Sequence, residues 1–382
     1  MTDRLAIVGI GATKLGSLPD QSGTMLASEA MRSAIEDAGL TRGDIDGMIC
    51  QPGHGYGSAG PAARRLGLPL KLFADLQSGG ASAIHSIVFA SGALREGLAD
   101  YVISIYATKA KTAKVLVGAS QEDSGTDSVW GMFSPGARNS MRARFYLERY
   151  GLGDDTFWPV VDNQRRNANK RPDALMYEPG LTFEEYKSAP FVAEPLRRFD
   201  YTPMSDGAAA FIVTTGERAR SLDRRPVYLQ GIGLAHAAEY SARGGTDFDS
   251  DLDQFIRAAR AAAFGQAGVT LEEIDVAELY DPFSVYPIMQ VEAYGWAPAG
   301  EGSQFFREGR GGARGEIPVN THGGHLSWGY LQGYGPILEG VRQVRGDGGA
   351  TQVEGARLAL VTGSGEGSAG SPAFGNIILA RE

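Results

Sequence analysis

The chain repeats itself, and that repeat limits what it can fold into more than any other feature. Ala38-Gly39-Leu40-Thr41, followed by Ile45-Asp46, recurs as Ala267-Gly268-Val269-Thr270, followed by Ile274-Asp275, at a constant offset of 229 residues. Each copy follows a short β-like run ending in Gly-Ile-Gly (LAIVGIG at 5–11, VYLQGIG at 227–233) and then a helical pattern. In the first copy Leu26, Ala27, Ala30, Met31, Ala34, Ile35 and Ala38 recur at three- and four-residue steps. Phe255, Ala258, Ala259, Ala262 and Ala263 do so in the second. Both copies lead into another strand, at Met48–Cys50 and Ala277–Leu279. A shared register of this kind predicts a duplicated α/β fold.

The remaining pattern extends the alternation. Strands are expected at 71–76, 101–106, 211–214, 317–320, 357–362 and 376–380, with a helix at 336–344. A helix over 81–94, apolar or small on every face, is expected to be buried in the middle of the protein. Residues 110–200, richer in charge and containing Trp130 and Trp158, read as an inserted loop-and-helix region. The expected division is an N-terminal half over 1–222 and a C-terminal half over 223–382.

Composition excludes several functions. The 53 glycines lie singly or in short clusters between apolar runs, as tight α/β turns require. One cysteine, Cys50, allows neither an internal disulfide framework nor a multi-cysteine zinc site, and fits a reducing cytoplasm. The sequence contains no stretch that reads as a membrane span. A net charge of −9 without a basic stripe argues against a nucleic-acid surface. Gly365 to Gly370 has the form GxGxxG, but too few residues follow it to supply the helix, strand and acidic residue of a dinucleotide site. His322 and His325 lack a carboxylate at metal-site spacing, so no metal site is expected.

The duplication, the Ser205-Asp206-Gly207 segment, the helix after Gly79-Gly80 and the C-terminal VTGSGEG resemble the thiolase superfamily. VNTHGGHLSWGYLQGYG resembles its sterol-carrier-protein-type, lipid-transfer branch. The resemblance implies a thiolase fold, a five-layer αβαβα arrangement of two similar halves, working as a homodimer. The departures carry the functional expectation. Gly80 stands where a thiolase has its nucleophilic Cys, Tyr280 where it has Asn, Tyr330 where it has His, and Val361 where a second Cys belongs. Cys50 matches none of these places and reads as an inert core residue.

Covalent acyl transfer thus lacks its nucleophile. The pattern resembles the aldolases of bacterial steroid side-chain degradation. That resemblance implies retro-aldol cleavage of a steroid β-hydroxyacyl-CoA to a steroid ketone or aldehyde and propionyl-CoA or acetyl-CoA. Coenzyme A would enter as part of the substrate, with no cofactor in this chain. A small OB-fold, zinc-ribbon protein is the implied partner. The expected acid/base pair is Tyr280 and Tyr330, either of which could be the base. Gly80 and Gly363 are expected to offer backbone N–H groups to the thioester oxygen. His322 and His325, on either side of Gly323-Gly324, are expected to line the substrate pocket; bonding a backbone carbonyl or tuning Tyr330 are the other roles open to them. Asp281 is expected to fix a turn before Pro282. An acyltransferase with another nucleophile, for which Cys50 is the sole thiol, and a non-catalytic acyl-CoA or sterol-binding subunit are the alternatives.

Overall fold

The computed structural model describes residues 4–115, 134–178, 180–236, 250–366 and 372–381. Trp130 and the Gly367 to Gly370 end of the glycine motif lie outside them. The strands are β1 (Leu5–Ala12), β2 (Gly47–Gln51), β3 (Leu72–Asp75), β4 (Val102–Lys109), a hairpin of β5 (Phe191–Ala193) and β6 (Leu196–Arg197), β7 (Asp206–Thr215), β8 (Val227–His236), β9 (Val276–Glu278), β10 (Leu358–Glu366) and β11 (Pro372–Ala380). Apart from the hairpin they form one sheet in the order β3-β2-β4-β7-β1-β8-β11-β10-β9.

That order is a repeat seen from both ends. β3, β2 and β4 run parallel, and β7 and β1 follow antiparallel. From the other edge, β9 and β10 run parallel, and β11 and β8 follow antiparallel. A single parallel bridge, Ala277 to Val319, stands where a counterpart of β3 would lie. The strand expected over 317–320 shrinks to this bridge for two reasons. Pro318 has no N–H to extend a ladder, and Asn320 turns the chain out at φ +51°. β1 and β8 join the two sets through Ala6–Tyr228 and Ile7–Val227.

The repeated residues do the same work twice. A methyl at Gly9 or Gly11 would overlap the Ala34 or Ala30 carbonyl of the Gly23–Asp37 helix. At Gly231 or Gly233 it would overlap Ala263 or Ala259 of the Ser250–Ala267 helix. Gly-Ile-Gly therefore lets a helix lie directly on the strand. Thr41 and Thr270 each open a capping box on a 3-10 turn. Asp46 then accepts the N–H groups of Asp100 and Tyr101, just before β4. Asp275 accepts those of Arg357 and Leu358, where β10 begins.

Strand alternation sorts side chains into three cores. Ala6, Val8, Met48 and Cys50 pack with the Gly23–Asp37 helix on one outer face. Leu279, Leu360 and Ile378 pack with the Ser250–Ala267 helix on the other. Leu5, Ile7, Ile49, Val361 and Ile377 share a central core with the helices Ser82–Arg95 and Tyr334–Arg345. These are the five layers of a thiolase fold. The Ser82–Arg95 helix is central, but not on every face: Val88 and Phe89 are exposed. Within the inserted region the chain forms helices Pro135–Tyr150, Trp158–Ala168 and Phe183–Ser188. No described helix is long and apolar enough to cross a membrane.

Candidate active site

Tyr280 and Tyr330 meet. Their hydroxyl oxygens are 2.9 Å apart in the wall of a cavity of about 150 Å3. Tyr280 follows β9, where its backbone is clamped. Its N–H donates to Thr362 Oγ1 (2.8 Å), and its carbonyl accepts from Gln290 Nε2 (2.8 Å). The Asn320 amide bonds both the N–H and the carbonyl of the preceding Leu279 (2.6 and 2.9 Å). Tyr330 sits on the loop between the short helix Gly324–Ser327 and the helix Tyr334–Arg345. Burial, and then the neighbouring Tyr330 phenol, hold the Tyr280 pKa well above its ordinary value of 10.0. Tyr280 is therefore a neutral phenol at physiological pH.

Gly80 belongs to the same site for a steric reason. A methyl placed on it would overlap Tyr280 Oη and Cζ as well as the Ser364 carbonyl. The tyrosine hydroxyl thus fills the space that a side chain at residue 80 would need. Gly80 lies just before Ala81, the N-cap of the Ser82–Arg95 helix. Gly363, in β10, packs behind it: a methyl there would come within 2.9 Å of the Gly80 carbonyl oxygen. Ser364 and Gly365 reach the cavity wall; Gly363 does not.

The two histidines lie behind the tyrosines, not on the cavity wall. The His325 ring stands edge-on to Tyr280 (centroids 4.9 Å apart) and tilted against Tyr330 (5.4 Å). Its Nδ1 lies 2.9 Å from Asp281 Oδ1, which also accepts the His325 backbone N–H at 2.7 Å. Its Nε2 accepts the Gly333 N–H at 3.2 Å. That acceptor role assigns the proton to Nδ1 and makes the ring neutral. Through His325, Asp281 anchors the Tyr330 loop to the end of β9, and it also accepts from Gln164 Nε2 of the Trp158–Ala168 helix at 3.2 Å. His322 is further away. Its Nδ1 is 2.9 Å from Glu278 Oε2, but misaligned for a hydrogen bond, so the contact is electrostatic. Thr321 Oγ1 links Glu278 to Glu339, which pairs with Arg171 at 2.9 Å.

Burial lowers the His325 pKa from its ordinary 6.5. The unfolded chain then takes up this proton first as pH falls, so the contribution to stability is present above about pH 6.5 and is lost below it. Urea unfolding at pH 7.5 and 5.5 is expected to show a larger acid loss for the wild type than for His325→Asn. Asp200, pushed up to about 6 by burial, works in the opposite direction in both proteins and cancels in the comparison.

Sequence reasoning missed the rest of the wall. Gln51, His54, Gln332, Asn139, Phe283 and Tyr286 also line the cavity. Arg142 Nη1 donates to Tyr286 Oη at 2.9 Å from behind. Among the described lining residues there is no carboxylate, Lys or Arg. The described residues also contain no cluster of three His, Cys, Asp or Glu that could hold a metal. Cys50 is buried in the outer core and does not line the cavity, its thiol pushed up to about 12 by burial.

Comparison with known proteins agrees with this frame. A family model described as thiolase C-terminal domain-like matches residues 246–374. A 17-hydroxy-3-oxo-4-pregnene-20-carboxyl-CoA lyase of Mycobacterium tuberculosis is 30% identical over 95% of this chain and 96% of its own length. A steroid side-chain-cleaving aldolase of Thermomonospora curvata is 32% identical over 89% of this chain and 90% of its own length. A solved structure described as an Ltp2–ChsH2(DUF35) aldolase superposes with a TM-score of 0.88 at 29% identity, covering 99% of this chain and 98% of that one. The chain belongs to the thiolase superfamily, in the lipid-transfer branch that includes the steroid side-chain-cleaving aldolases.

Proposed function

We propose that this protein is a carbon–carbon lyase that cleaves a steroid β-hydroxyacyl-CoA by retro-aldol chemistry, with Tyr280 and Tyr330 as a proton relay. The observation that carries this is the 2.9 Å hydroxyl contact in a cavity without charged lining among the described residues. The β-hydroxyl proton passes to one phenol oxygen while that phenol's proton passes to the other. The second phenol protonates the α-carbon. The Cα–Cβ bond breaks, its electron pair enters the thioester enolate and then the new C–H bond, and the β-oxygen becomes a carbonyl. Both tyrosines begin and end neutral, which suits a buried phenol. The Gly80 N–H, supported by Gly363 behind it, is the donor we assign to the enolate oxygen. His325 sets the loop that carries Tyr330. His322 belongs to the buried Glu278 cluster rather than to substrate.

An acyltransferase would need a nucleophile where residue 80 has no room for a side chain and residue 361 is a buried valine. A ketone or aldehyde and a short acyl-CoA, propionyl-CoA or acetyl-CoA, are the products of the proposed cleavage. Coenzyme A enters with the substrate. A DUF35-type protein, small and built of an OB fold and a zinc ribbon, is the proposed partner. A cytoplasmic location suits the single unpaired Cys50.

Homodimerisation is supported by β3, whose outer edge is unpaired among the described residues. Phe73 is 46% exposed there, and Phe89 on the central helix 44% exposed. An uncovered strand edge beside apolar side chains invites pairing. Phe73→Glu with Phe89→Glu is expected to give a monomer by analytical ultracentrifugation; an unchanged dimer would remove this interface. The test of function is to co-purify the chain with the DUF35-type protein and supply steroid β-hydroxyacyl-CoA. Release of a short acyl-CoA is expected. Substrate binding without release would leave only a binding subunit.

A further inference from the structure

Gln51 has a role that the proton relay does not use. It is the last residue of β2, its side chain is 3% exposed, and it lines the cavity beside Gly79 and Gly80. Its Nε2 donates to the Gly79 carbonyl at 3.0 Å. That bond fixes the amide orientation and leaves Oε1 buried without a partner. Gln332, which lines the same cavity, repeats the arrangement. Its Nε2 lies 3.0 Å from His54 Nε2, and its Oε1 is likewise buried and unpaired. Gln332 also holds the left-handed φ of +51°, a conformation unfavourable for a non-glycine residue.

A buried acceptor with no donor is left desolvated without compensation until a donor arrives. Two of them among the residues lining one cavity therefore describe what the ligand brings. They cannot face the reacting oxygens, because retro-aldol cleavage builds negative charge on the thioester oxygen, and carbonyl dipoles would repel it. The β-hydroxyl proton is committed to the tyrosines. The other hydrogen-bond donors near the sulfur of an acyl-CoA are the amide N–H groups of its pantetheine arm. The first lies two carbons from the sulfur, within reach of a group placed beside the thioester.

Resting on the retro-aldol reading above, we propose that Gln51 is a specificity-determining residue whose amide oxygen accepts the N–H nearest the thioester sulfur. Gln332, held by His54, lines the same cavity and offers a second acceptor to the arm. Recognition is neutral and directional, in keeping with a wall that carries no charged side chain among the described residues.

The test compares two substrates with the same steroid acyl group, an N-acetylcysteamine thioester and an S-butyl thioester that lacks the amide. Both are assayed with the chain and its DUF35-type partner. Wild type is expected to favour the amide-bearing thioester by about 10-fold in kcat/KM, the scale of one hydrogen bond to a buried group. Gln51→Leu is expected to remove most of that preference, mainly through KM, whatever it does to both rates through Gly79. Equal discrimination in the wild type and Gln51→Leu overturns the assignment, as does a wild type with no preference. The substrate pair reads the wild type alone, so a poorly folded variant does not block the answer. If the wild type cleaves neither thioester, the lyase reading fails, and calorimetric binding of the same two compounds then decides the Gln51 contact separately.

Discussion

Tyr280→Phe is expected to lower kcat by about 10²–10⁴, with little change in KM and in folding. That range is what a positioned acid or base contributes, and the substitution removes one oxygen from a ring that is otherwise held by packing. Tyr330→Phe is expected to do the same, because a relay is broken at either member. The double variant then distinguishes mechanisms. Two groups that act as one unit lose nothing further when the second is removed. The Tyr280→Phe, Tyr330→Phe protein should thus retain about the activity of the worse single variant. Multiplicative losses would mean that the tyrosines act independently, one on the hydroxyl and one on the α-carbon, and the hydroxyl contact would be structural. Steady-state rates of short acyl-CoA release, with the partner present, are the measurement. The high Tyr280 pKa sharpens the point. A phenol that burial keeps neutral is a weak base alone, so it can take a proton only as it gives one away.

The duplication was legible because its physical causes are local. Gly-Ile-Gly needs only a helix crossing a strand, and Thr41–Asp46 and Thr270–Asp275 need only a capping turn and one carboxylate that binds the next strand's backbone. Tyr280 and Tyr330 were legible through the resemblance: 50 residues separate them, and no periodicity brings them together. The wall was not legible. Gln51 ends β2, His54 follows it, and Gln332 sits in a loop more than 270 residues later. A glutamine with one amide end bonded and the other open looks in sequence like any polar residue. The same is true of Asp281 and His325. From sequence His325 can line the pocket, bond a backbone carbonyl or tune Tyr330; its two ring nitrogens are occupied by Asp281 and the Gly333 N–H, and its ring packs on Tyr330 from behind the wall. The Ser82–Arg95 helix shows the opposite limit. Its apolar residues on every side predict burial all round, whereas Val88 and Phe89 face outward.

Gly80→Ala is expected to be nearly as damaging as loss of a tyrosine, although it adds only a methyl group. The added carbon would occupy the space of the Tyr280 hydroxyl and ring terminus. A buried ring beside Tyr286 and His325 has little freedom to retreat. Either the phenol oxygen leaves Tyr330, or the backbone at residue 80 shifts away from its place before the helix. Both outcomes spoil the reacting geometry. Overpacking of this kind costs about 1–3 kcal/mol of stability, and a displacement near 1 Å can cost about 10² in rate. The expected result is therefore a kcat loss of about 10² or more together with a measurable drop in the urea midpoint. A second substitution separates the two effects. Tyr280→Asn in the Gly80→Ala background removes the ring from the contested space and should recover part of the stability. Recovery should be incomplete because the Ser364 carbonyl also meets the added methyl. Activity should not return, since the proposed relay has lost a member. If Gly80→Ala instead kept full activity, the hydroxyl would not need the space that glycine leaves. The absence of a side chain at residue 80 would then concern only the lost nucleophile. If stability failed to improve in the double variant, the clash would lie with the backbone alone. On the present geometry the two positions are one device: a phenol can reach the bottom of this cavity because the residue facing it has no side chain.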